Sequence, residues 1–164
     1  MSNKKKWFRY SLYLLLAVLA VIQFIKPERN LSGNVQNDIS KAYSVPNKVK
    51  VILETACYDC HSNKTVYPWY ANLQPIAWWL SDHVNDGKKH LNFNEFMTYN
   101  AKRQHHKLEE IDETVSEGEM PMSSYTLIHK EAKLSDDQKA ILIQWTKDLR
   151  AEILAQNPTI EAED

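Results

Sequence analysis

Apolar positions are spread unevenly along this chain. From Tyr10 to Ile25 they form a run broken only by Ser11 and Gln23, with Lys4, Lys5, Lys6 and Arg9 before it and Lys26-Pro27-Glu28-Arg29 after it. Trp7 to Ile25 is 19 residues, which at about 1.5 Å each covers a hydrocarbon core of about 30 Å if Arg9 snorkels. The pattern predicts a signal anchor over residues 1–29 with a transmembrane helix through residues 7–25, its basic end held inside. A cleaved signal peptide is the alternative, with small residues around Val18-Leu19-Ala20. Cleavage there leaves the greasy terminus Val21-Ile22-Gln23-Phe24-Ile25 to be hidden, so the uncleaved anchor is preferred. The expectation is a single-pass protein of the bacterial inner membrane with its C-terminal domain in the periplasm.

Beyond the run, residues 30–44 are polar and without period, and read as a flexible linker. Helical spacing then returns four times. Pro46 suits the first turn of a helix with Val49, Ile52, Leu53 and Ala56 on one face. Pro75 opens a second, where Ile76, Trp79, Leu80, His83 and Val84 form a stripe that Gly87 can close. Asn94 is a candidate cap for a third, periodic through Leu108, Ile111 and Val115 before Gly118. Ser135-Asp136-Asp137-Gln138 has capping-box spacing ahead of Leu142, Trp145 and Leu149. Residues 45–155 therefore make one domain, and residues 156–164 an acidic tail.

Composition narrows the class. Only three glycines occur in 164 residues and strand-like alternation is scarce, so an all-α domain is expected. Residues 1–29 carry six basic and one acidic side chain of the chain's 20 and 21, which leaves 14 and 20 for residues 30–164, a formal charge of −6. That balance excludes nucleic acid as a natural partner and favours a partner with a basic docking patch.

The chemistry concentrates at Cys57-Tyr58-Asp59-Cys60-His61, which holds both cysteines of the chain. Two thiols three positions apart can form thioethers to the two vinyl groups of one haem, and the adjacent imidazole can then ligate its iron. Three other readings use the same residues: a redox dithiol, a zinc site completed by His105 and His106, and a short structural disulfide. The first lacks the expected strand and helix alternation, the second the usual histidine spacing, and the third restrains little chain.

A sixth iron ligand would decide much of the function. Met120, in Glu119-Met120-Pro121-Met122, stands between the third and fourth helices, where a neighbouring proline limits the backbone. A thioether there would raise the reduction potential. Met122 and His83 are rivals, and core filling is the ordinary use of a methionine. Tyr67, Trp69, Tyr70, Trp78 and Trp79 cluster after the motif and suit a porphyrin wall. A carbonyl between Pro68 and Pro75 is the expected acceptor for the other nitrogen of His61.

From about Pro46 to Trp145 the sequence resembles the small bacterial haem-binding domain family related to monohaem cytochrome c. The resemblance lies in Cys57-Tyr58-Asp59-Cys60-His61-Ser62, Pro68-Trp69-Tyr70, Pro75, Leu91-Asn92-Phe93, Gly118-Glu119-Met120-Pro121, Tyr125, His129 and Leu134-Ser135. It implies a cytochrome c-like helical domain around one covalent haem c, with His61 and Met120 on the iron. Where the family often has a second proline after Met-Pro, this chain has Met122; where it often has Gly-Arg, this chain has Gly87-Lys88. The expected function is single-electron transfer with a membrane-associated redox partner. A haem-based sensor or small peroxidase with a labile sixth position is the alternative.

Overall fold

The computed structural model describes residues 3–158, and every regular element among them is helical. The α-helices are α1 (Asn3–Ile22), α2 (Asn47–Ala56), α3 (Tyr58–His61), α4 (Ile76–His90), α5 (Ala101–Glu117), α6 (Ser123–Thr126) and α7 (Asp136–Gln156). Short 3₁₀ turns lie between them, at Ile39–Lys41, Trp69–Asn72, Phe93–Thr98 and Lys130–Ala132. The expected acidic tail lies outside the described residues from 159 onward.

The core forms where the apolar stripes meet. Val49, Ile52 and Leu53 of α2 pack with Leu108, Ile111 and Val115 of α5 and with Leu142, Trp145, Leu149 and Ile153 of α7. α5 lies along α7, and Phe93 and Phe96 fill the space beside them. Local signals fix the helix ends. Ser135 Oγ accepts from Gln138 N at 3.2 Å while Gln138 Oε1 accepts from Ser135 N at 2.9 Å, a reciprocal box that satisfies two otherwise orphaned donors. Asn100, rather than Asn94, caps α5 by accepting from Arg103 N at 2.8 Å. Gly118 ends that helix with φ +77°, in the left-handed region.

The N-terminal expectation is overturned. No described helix is long and apolar enough to cross a membrane. α1 carries Lys4, Lys5, Lys6 and Arg9 in its first turns, and it stops at Ile22. Its apolar part, from Tyr10 to Ile22, therefore rises only about 20 Å. The run from Trp7 to Ile25 is not one helix, because the chain turns at Gln23. Its side chain donates to the Gln74 carbonyl at 3.2 Å and accepts from Gln74 N at 3.0 Å. The Ile25 carbonyl accepts from Gln74 Nε2 at 2.7 Å and from Trp78 Nε1 at 3.0 Å. The transmembrane helix over residues 7–25, and the single-pass inner-membrane and periplasmic placement built on it, are not supported.

Residues 30–44 do not hang free as a linker would. Asn30 donates from Nδ2 to the Ser62 carbonyl at 2.8 Å, and Gly33 N donates to the Asn63 carbonyl at 2.9 Å. Ile39 is fully buried, and the Tyr43 hydroxyl donates to Gln104 Oε1 at 2.7 Å. Behind this strap lies a buried polar network. Asn94 Nδ2 donates to Asp38 Oδ2 at 2.6 Å, Asn63 N to Asn94 Oδ1 at 2.8 Å, and Asn92 Nδ2 to Asn63 Oδ1 at 2.8 Å. Glu95 accepts from Asn63 Nδ2 at 2.7 Å and from Asn37 Nδ2 at 3.1 Å. Among the described residues no buried side-chain polar atom lacks a partner, so removing one member leaves others desolvated and unsatisfied.

Asn63→Ala is accordingly expected to cost about 1–3 kcal/mol of stability in urea denaturation. It should also open residues 30–44 to limited proteolysis, whereas a free linker would be cut equally well in both proteins.

Candidate functional site

α2 runs directly into α3 with Cys57 at the junction, so both thiols and His61 are presented within one tight turn. Cys60 N and His61 N both donate to the Cys57 carbonyl, at 3.1 and 2.9 Å. α4 then packs against this turn at unusually close range. A β-carbon at Gly87 would lie 2.7 Å from the Cys60 carbonyl oxygen and 3.1 Å from Cys60 Cβ. Gly87 does not close the helix, as its place in the sequence suggested, because α4 continues to His90. It is a notch that admits the cysteine turn.

The extra turn of α4 delivers Leu91. Its carbonyl sits 3.0 Å from His61 Nδ1, and since a carbonyl only accepts, that nitrogen carries the proton and Nε2 keeps its lone pair. The expected acceptor between Pro68 and Pro75 is thus replaced by one 30 residues beyond the histidine. Burial lowers the pKa of His61, against the opposing pull of the Leu91 and Gly87 carbonyls, so a neutral imidazole is favoured.

Both cysteines are free thiols. Burial, and then the neighbouring Cys60, push the Cys57 thiol up to about 12. Burial and Asp59 push Cys60 up to about 11. A catalytic dithiol is served by the opposite, a thiolate stabilised near neutrality, so these shifts do not favour the redox-pair reading. Zinc fares no better. Among the described residues no group of three or more His, Cys, Asp or Glu side chains could hold a metal ion. His105 lies against Arg150 on α7 and His106 against Glu109 and Glu110.

Cys57, Cys60, His61 and Met120 all line one cavity of about 570 Å³. Leu91, Phe93, Ile111, Val115, Leu134 and Leu142 are among its apolar lining residues. Met120 arrives by way of the turn at Gly118: the Thr114 carbonyl accepts from Glu119 N at 2.9 Å and from Met120 N at 3.1 Å. Met122 and Pro121 reach the same cavity, and His83 stands at it with Nδ1 2.8 Å from its own helix carbonyl, Trp79 O. The aromatic cluster is elsewhere. Trp69 is 76% exposed and Trp79 47%, while the Tyr67 hydroxyl accepts from Asn30 N at 2.8 Å.

Asp59, between the cysteines, anchors the motif to the methionine segment. Its Oδ1 accepts from Val66 N at 2.9 Å and its Oδ2 from the Tyr125 hydroxyl at 2.8 Å. The Tyr125 ring stacks on His129 with centroids 4.3 Å apart, and His129 Nε2 lies 2.7 Å from the Tyr70 hydroxyl. The sequence pattern assigns Asp59 no role. Its place inside the motif, with an aromatic hydroxyl 66 residues away, left no local signal.

The residues suit a flat apolar cofactor with a soft metal: a mostly hydrocarbon wall, a neutral imidazole with one nitrogen available, two thiols and two thioethers. Comparison with known proteins agrees. A family model described as a haem-binding domain matches residues 17–148. No curated protein and no solved structure matches the chain.

The geometry makes the two glycines unequal. Gly87→Ala should cost about 1–3 kcal/mol, because a backbone carbonyl must move to admit the new atom. Gly118→Ala should cost about 1–2 kcal/mol from backbone strain alone, since nothing lies within 4 Å of its β-carbon position. Denaturation midpoints measure both, and only Gly87→Ala should shift the amide and side-chain NMR resonances of Cys60 and His61.

Proposed function

The chain belongs to the haem-binding domain family, and we propose that it carries one haem c, joined through Cys57 and Cys60 and ligated by His61 and Met120, for single-electron transfer. The observation that carries the proposal is convergence: two thiols, an imidazole with Nε2 available and a thioether line the same apolar cavity. When bound, the haem supplies a one-electron ferric and ferrous couple.

The chain's own residues would hold that couple in place. The Leu91 carbonyl fixes the tautomer and plane of His61. The Thr114 carbonyl holds the Met120 backbone at the end of α5. A thioether favours the reduced iron and raises the potential relative to a second imidazole. Phe93, Leu134 and Leu142 line the cavity with hydrocarbon. The formal charge of −6 over residues 30–164 suits a redox partner that presents a basic docking face.

Protein matured with haem is expected to retain it through denaturation and acid-acetone extraction, and Cys60→Ala should leave at most one thioether and lower the holoprotein yield. Complete loss of haem from the wild type on extraction would refute covalent attachment. Met120→Ala should abolish the sulfur-to-iron charge-transfer band at the red edge of the ferric spectrum, lower the reduction potential and open the ferrous iron to carbon monoxide. Met122→Ala should do much less. Rapid carbon monoxide binding by the wild-type ferrous protein would instead favour a sensor or small peroxidase.

A further inference from the structure

A haem brings two carboxylates, ionised near neutral pH, into a cavity whose wall is mostly hydrocarbon. Among the described residues, one Lys or Arg side chain lines that cavity, Lys107 of α5. Its side chain is only 12% exposed, an uncommon state for a lysine unless it is paired. Its Nζ is paired with Glu110 Oε2, one helical turn further on. Lys88, which stands where the family often has arginine, is turned elsewhere: its Nζ donates to Asn30 Oδ1 at 2.7 Å, and it is absent from the cavity wall.

Glu110 is not committed to Lys107 alone. Its Oε1 lies 3.2 Å from His106 Nε2, and its side chain is 39% exposed. It can therefore give up the ammonium and remain solvated and partnered, so a competing carboxylate could take Lys107 at little cost. Asp59 and Asp86 are the other acids lining the cavity, and His83 already has Nδ1 engaged with its helix.

We propose that Lys107 binds a haem carboxylate, and that Glu110 holds the ammonium at the cavity until it does. This rests on the haem reading above. The contact is a charge-assisted hydrogen bond in a place of low dielectric, strong enough to matter for orientation and for the iron. Neutralising a carboxylate beside the cofactor removes negative charge that would otherwise favour the ferric state. Lys107 is in this sense a positioning residue that also tunes the couple.

The test uses the full chain with its haem labelled with carbon-13 at the carboxylates, read by redox-induced infrared difference spectra and by potentiometry. Lys107→Gln should shift the haem carboxylate band and lower the reduction potential, with the thioether spectrum intact. Glu110→Gln breaks the same ion pair but should not lower the potential. Equal effects of the two variants would show a purely structural pair and overturn the proposal, as would a wild-type band and potential in Lys107→Gln. If Lys107→Gln does not accumulate, Lys107→Arg decides: a guanidinium in place of the ammonium should move the band while the potential stays near wild type, and an unmoved band overturns the assignment. A wild-type chain that binds no haem would remove the parent reading and this one together; a haem-bearing wild type with unresponsive variants removes only this one.

Discussion

A β-carbon at residue 87 would meet the Cys60 carbonyl at 2.7 Å, and the absence of that one atom lets α4 lie directly on the turn that holds both thiols. Much else is conditional on this approach. With α4 seated, its final turn brings the Leu91 carbonyl to His61 Nδ1 at 3.0 Å, which sets the imidazole's tautomer. Leu91 and Phe93 then become cavity wall, and Asn92 is drawn into the polar network behind it. A separation of even an ångström would loosen the histidine, the wall and the network together, because all three follow in sequence from the end of one helix.

The polar network answers from the other side. Asn63, Asn92 and Asn94 follow the motif or α4, while Asp38 lies in the strap. Each amide satisfies another's donor or acceptor, which is why such polar residues can be buried without a net penalty. Their hydrogen bonds are directional in a way that apolar contacts are not. They fix the register in which the strap crosses the back of the cysteine turn, and so the rigidity of the face that carries His61.

Much of the helical frame was legible in sequence because it depends on local rules. The apolar spacing of Val49, Ile52 and Leu53, the box at Ser135 and Gln138, and the glycine stop at Gly118 each act within a few residues. The motif residues and Met120, singled out by type and spacing, line one cavity in the structure. What failed depended on long-range partners. Residues 30–44 looked solvated because their polarity was visible and their partners at Asn63 and Asn94 were not. Trp69 and Trp79 looked like cavity wall, yet the chain leaves them exposed, and Leu91, Phe93, Ile111, Val115, Leu134 and Leu142 line the cavity instead. The apolar run near the start looked like one spanning helix because hydropathy does not register that Gln23 bonds Gln74 some 50 positions later.

The strap also changes where the folding unit begins. Cutting the chain at the edge suggested by composition, near residue 45, would strip Asp38 from Asn94 and Asn34 from Asn63, and would remove Ile39 from the core. The excised piece would retain its motif, its cavity-lining helices and its capped C-terminal helix, yet expose a row of half-satisfied amides along its back. The strap from Asn30, whose own side chain closes on Ser62 and Thr65, therefore belongs to the folded domain. Polar composition marks a border only when the polar groups are left to water.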